Sequence, residues 1–154
     1  MAGALFLLLS FSANAEEKTH STALTVSQGD EKIVLDLEIA ACAKQRIRGL
    51  QGRTSLKDNS GMLFLIDPAD KVSMWMKDTF IPLDILFVDA DDRVVGLVES
   101  TTPLSLRSIN SPQVVAAVVE VNAGFIRRSG IQLGHSVQYD LPDEMLVRRC
   151  GAVG

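Results

Sequence analysis

The charged side chains best suited to chemistry in this sequence stand among apolar segments instead of on continuous polar faces. Arg48 and Arg53 close a short basic stretch, while Lys77, Asp78 and Asp84 surround the single tryptophan, Trp75, and Pro82. Two guanidiniums can grip a carboxylate or phosphate bidentately, an ammonium adds a point charge, and an indole supplies a flat apolar wall. In such a cleft Lys77-Asp78-Thr79 forms the rim. The same residues also fit a structural network of ion pairs and hydrogen bonds that pins residues 75–82, because charges buried without partners cost several kcal/mol.

Catalytic patterns fit less well. His20 falls in a polar lead and His135 in a turn, and no nucleophile marks the neighbourhood of either. Asp78 and Asp84 form a carboxylate pair available for acid and base work, yet Asp84, following Ile81-Pro82-Leu83, is as simply a turn residue accepting backbone N–H groups. Cys-x-x-Cys, His-x-x-x-His and a full calcium loop are all missing, and Asp89-Ala90-Asp91-Asp92 is too short for the last of these. No metal and no cofactor are therefore expected.

The elements that must position these groups are mostly strands. Leu24-Thr25-Val26 and Ile33 to Ile39 alternate apolar and polar residues around Gln28-Gly29-Asp30, which predicts a hairpin. Lys44 to Leu50 changes to a helical period and stops at Gly49. Met62 to Ile66 and Val72 to Met76 flank Asp67-Pro68-Ala69-Asp70, a second predicted hairpin. Asp84 to Asp89 and Arg93 to Val98 flank an acidic turn, a third. Thr101 to Pro112 reads as a long surface loop, Val114 to Val121 as a buried strand, Phe125 to Ser129 as a short helix closed by Gly130, and Ser136 to Leu141 as a last strand. Strands joined by tight turns favour antiparallel pairing. The expected fold is mainly β (α+β), a compact antiparallel barrel or two-layer β domain with two short helices.

Around this domain, residues 1–15 read as a signal peptide, with an apolar core before Ser12-Ala-Asn-Ala15, although no Lys or Arg precedes it and the start codon is open to lie upstream. Residues 16–23 are expected to be a flexible lead, 24–141 a single domain and 142–154 a tail. Export to the periplasm or secretion follows, and with it an oxidising compartment in which Cys42 and Cys150 either form a disulfide or remain thiols. The net charge of −4 argues against a general electrostatic hold on nucleic acid or anionic lipid. No apolar run is long enough for a helical membrane span, and a monomer is expected.

Four segments resemble the DUF192 family, a domain of unknown function: Gln45-Arg-Ile-Arg48-Gly-Leu-Gln-Gly-Arg53; Gly61-Met-Leu-Phe64; Trp75-Met-Lys-Asp-Thr79-Phe-Ile-Pro-Leu-Asp84-Ile; and Glu120-Val-Asn-Ala-Gly124 with Gly130-Ile-Gln-Leu-Gly134. The resemblance covers nearly all of the expected domain and implies a mainly β fold, but no activity, substrate or cofactor. This chain departs from the pattern at Gln51, where relatives commonly carry Met, and in residues 101–111, which lack a Pro-Cys pair.

Taken together, the residues favour a non-catalytic binding module for a small anionic ligand or an acidic peptide end, held by Arg48, Arg53 and Lys77 with Trp75, Asp78, Thr79 and Asp84 nearby. A hydrolase or transferase using Asp78 or Asp84 beside the same cations is one alternative. A protein-interaction domain whose charged network is purely structural is the other.

Overall fold

The structure is a computed structural model and describes residues 20–142. Strands β1 (Ser21–Gln28) and β2 (Glu31–Ala40) form the first hairpin, with Leu24 opposite Leu35 and Val26 opposite Ile33. The connecting pair is Gly29-Asp30, and Gly29 takes the positive φ of +60° that so tight a reversal requires. Strand β1 starts at Ser21, not Leu24, because Thr22 is buried and its hydroxyl donates to the Asp140 carbonyl at 2.7 Å.

Helix α1 (Ala43–Arg48) follows. The Gln45 side chain accepts from the Ala41 and Cys42 N–H groups at its start, and Gly49, at φ +46°, ends it. Then come β3 (Ser60–Asp70), β4 (Ser73–Met74), β5 (Leu83–Val88), β6 (Val94–Val98), β7 (Ile109–Asn110), β8 (Val115–Asn122), α2 (Phe125–Ser129) and β9 (Ser136–Tyr139). Seven strands make one sheet in the order β6-β5-β8-β3-β2-β1-β9, and β4 pairs with β7 in a separate two-stranded ribbon. The large sheet curls until its ends meet: Arg93 bridges Ser136, and the Val94 N–H donates to the His135 carbonyl at 3.0 Å. This is the mainly β domain with two short helices that the patterning implies.

Two pairings differ from expectation. The second predicted hairpin does not form: β3 lies between β2 and β8, and residues 72–76 contribute only β4, which pairs with Ser73 opposite Asn110. The run Gly61 to Phe64 is buried on both faces, so it needs neighbours on both sides, and a local hairpin supplies only one. The β2–β3 pair is also parallel, with α1 in the crossover, in an otherwise antiparallel sheet. The loop 101–112 carries β7 and so is not wholly irregular.

Every strand of the large sheet contributes to an inner core, including Leu24, Leu35, Leu63, Leu86, Val94, Val119 and Val137, with Phe125, Ile126 and Ile131 beside them. A second core lies on the other face of the central strands, where Leu50, Phe64, Met76, Leu83, Ile85 and Phe87 pack together. Strands β5 and β8 serve both cores, which explains why they are apolar apart from Asp84, Glu120 and the terminal Asn122. Among the described residues, no helix is long and apolar enough to cross a membrane.

Candidate functional site

The outer core has an opening. A cleft of ≈ 290 Å³ lies between α1 with its following turn, the end of β3, and the segment from β4 to Thr79. Phe64, Ile66, Met74 and Ile47 make its apolar surface, and Trp75 and Lys77 stand on one side facing Arg46 and Arg48 of α1.

The Trp75 segment is held by alternation and by the loop behind it. Met76 is buried in the outer core, while Trp75 beside it is 48% exposed. The Met76 N–H donates to the Ser105 carbonyl at 3.0 Å, and the Leu104 N–H donates to the Thr79 carbonyl at 3.0 Å, so residues 101–112 brace this wall. The Gly52 N–H donates to the Asp78 carbonyl at 2.8 Å, tying the turn after α1 to the same segment. Lys77 places Nζ 5.7 Å from the centre of the Trp75 ring, within cation–π range. On the opposite wall, Arg46 donates to the Ala41 and Leu65 carbonyls and so fastens α1 to the end of β3.

The acidic residue of the lining is Glu120 of β8, almost fully buried where Arg48 and Lys77 are exposed. It stands opposite Met62 on β3 and Ile85 on β5, so it shares the outer face with them, while Val119 and Val121 turn to the inner core. Glu120 is only 4% exposed. No hydrogen bond or ion pair reaches its carboxyl among the described residues, and neither oxygen is sealed from solvent without a partner, so the group opens into the cleft. Burial disfavours the charged form and pushes its pKa up from 4.5 to about 8, which keeps it protonated at neutral pH.

Of the residues singled out from sequence, Arg48, Trp75, Lys77 and Thr79 line this cleft. Arg53 lies apart from it, donating from Nη2 to both Glu38 carboxylate oxygens at 2.7 Å and lining a smaller neighbouring cleft of ≈ 140 Å³ that Arg48 also borders. Asp78 is exposed with φ +53° and contributes its backbone carbonyl. Asp84 is fully buried, and its oxygens accept from the Ser100 N–H at 2.8 Å and the Ile126 N–H at 2.9 Å, fixing the start of β5 to α2. Cys150 lies outside the described residues, and the question of its pairing with Cys42 goes with it. Among the described residues no three His, Cys, Asp or Glu side chains gather as metal ligands.

Sequence reasoning passed over Glu120 and Arg46 as site residues. For Glu120 the signal was present: one ionisable residue inside Val114 to Val121, a stretch otherwise apolar enough to be buried on both faces. Arg46 carried no comparable signal, since a polar residue on a short surface helix is ordinary.

The model of DUF192, described as an uncharacterized ACR, matches residues 24–139. A crystal structure of a candidate transcription regulator from Sinorhizobium meliloti 1021 is 32% identical over 80% of this chain and 97% of its own, with a TM-score of 0.77. A protein of unknown function from Novosphingobium aromaticivorans DSM 12444 is 35% identical over 75% of this chain and 83% of its own, with a TM-score of 0.73. No curated protein matches.

Proposed function

The chain belongs to the DUF192 family, and since membership brings no assigned reaction, we propose its function from the cleft: an exported binding domain for a small ligand with an apolar body and an anionic end. The carrying observation is a cleft with largely apolar walls whose mouth holds two exposed cations, Arg48 and Lys77, neither paired with a carboxylate among the described residues. An anion at the mouth gains charge-assisted hydrogen bonds there, and the ligand's body displaces water from Trp75, Phe64 and Met74. Arg53, engaged by Glu38, takes no part in this reading.

Catalysis finds less support, because Asp84 spends both oxygens on backbone N–H groups and Asp78 does not line the cleft. A role in transcription like the one named for the Sinorhizobium neighbour finds no support in the net charge of −4, which offers no general attraction for DNA. A second reading, docking of a protein partner, draws on the exposed side chains of Phe80, Leu104 and Leu106 along the segment that braces Trp75.

Hexanoate serves as the test ligand. It is expected to raise the melting temperature progressively, with the logarithm of its concentration once that exceeds the dissociation constant, and the Arg48→Ala/Lys77→Ala double variant, altered only at exposed positions, is expected to melt like the wild type and lose the response. An undiminished response in that variant, or none in the wild type, defeats the reading.

A further inference from the structure

Glu120 sits at the inner end of the cleft, where the cations of the mouth do not pair with it. Its neighbours across the sheet, Met62 and Ile85, are apolar. The charged groups on the surrounding elements are engaged elsewhere or stand at the mouth. Arg46 of α1 donates to two backbone carbonyls, Arg48 is exposed, and Lys77 lies over Trp75. Glu38 on β2 stands opposite Met62, one strand beyond it, and is held by Arg53. Asp84 on β5 is bound to backbone N–H groups. The carboxyl is thus a buried acid without a partner among the described residues, aimed into a cleft that three cationic side chains line without compensating it.

We propose that Glu120 receives the ammonium group of a primary amine, so that the cleft takes a small amphiphile with an amine at its inner end and an apolar body against Phe64 and Trp75. An anionic group at the outer end, making the ligand a zwitterion, rests on the function proposed above; the amine does not. An ammonium supplies the opposite charge that this carboxyl lacks, in a site where low dielectric strengthens the pair. A ligand hydroxyl or amide would gain only a neutral hydrogen bond from the protonated acid.

Binding an ammonium requires the ionised carboxylate, so the Glu120 proton leaves to solvent as the amine arrives. Protons and the amine then compete for one group. Since burial pushes this acid up to about 8, the affinity for an amine rises about ninefold from pH 6 to 7 and about fivefold from pH 7 to 8, and levels off above that. A ligand that used the protonated acid as a hydrogen-bond donor would show the opposite trend and weaken above pH 8.

The test is calorimetric titration of the full chain with hexylamine, hexanoate and 6-aminohexanoate at pH 6, 7, 8 and 9, in two buffers of different ionisation enthalpy. Hexylamine is expected to release close to one proton at pH 6 and close to none at pH 9, with an affinity that climbs about fiftyfold from pH 6 to 8. Glu120→Gln is expected to lose hexylamine binding and keep hexanoate binding; should that variant fail to fold, the proton count on the wild type decides. Failure of hexylamine to bind, or binding without proton release and with a flat pH profile, overturns the assignment. Hexanoate failing while hexylamine binds with proton release refutes only the anionic mouth. If both hold, 6-aminohexanoate binds at least tenfold more tightly than either single-ended probe.

Discussion

Replacing Glu120 by Gln should change the pH dependence of stability more than stability itself. The glutamate is protonated in the folded state up to about pH 8, whereas in the unfolded chain it ionises near 4.5. Between those values the folded state holds a proton that the unfolded state has lost, so stability falls as pH rises, and above pH 8 the loss is complete and constant. Each tenfold step in a proton equilibrium is worth about 1.4 kcal/mol, so the climb from 4.5 to about 8 corresponds to about 5 kcal/mol. That is an upper bound, because water entering the cleft screens the carboxylate. Glutamine has nearly the same shape and no ionisation. At pH 5 the two proteins should therefore agree within about 1 kcal/mol, and at pH 9 the variant should be the more stable by several, on the order of 3 to 5 kcal/mol. Urea unfolding followed by far-ultraviolet circular dichroism, at one-unit steps from pH 5 to 9, reads this difference directly. Parallel curves for wild type and variant would refute the reasoning, since they would mean that Glu120 titrates alike in both states.

Three further substitutions separate the scaffold from the cleft. Asp84→Ala removes the acceptor of two backbone N–H groups, one of them the fully buried Ile126 N–H, and should cost about 2 to 5 kcal/mol in urea unfolding; Asp84→Asn keeps one acceptor and should fall between. Gly61→Ala places a methyl group onto the Glu120 carbonyl oxygen and against Val121, backbone and core that cannot yield cheaply, so a loss of at least about 3 kcal/mol or failure to accumulate folded protein is expected. Arg53→Ala breaks a pair whose side chains are 41% and 31% exposed; it should cost no more than about 1 kcal/mol in thermal unfolding and leave hexanoate binding intact.

Local chemistry alone carried much of this protein. The Gly29-Asp30 reversal between alternating strands, the turn at Asp89 to Asp92, and α2 from Phe125 to the Gly130 cap were all legible, because each depends on residues within a few positions of one another. The cluster Trp75 to Thr79 was legible as a wall with charge beside it for the same reason. Pairing was not: the order β5-β8-β3-β2 joins segments far apart in sequence, and whether Met62 to Ile66 meets its neighbour in the chain or a remote strand is decided by which faces must be covered. Charge partners were equally remote. Nothing near Arg53 in sequence announces Glu38, and nothing near Asp84 announces the N–H of Ile126; these pairs exist because β2 passes beside β3 and α2 packs at the start of β5. Glu120 draws the line most clearly. Its sequence neighbours mark it as an acid that will be buried, which hydrophobicity dictates, but that its carboxyl meets a cleft instead of a partner is a product of the tertiary fold, in which α1, the Trp75 segment and β8 line one opening.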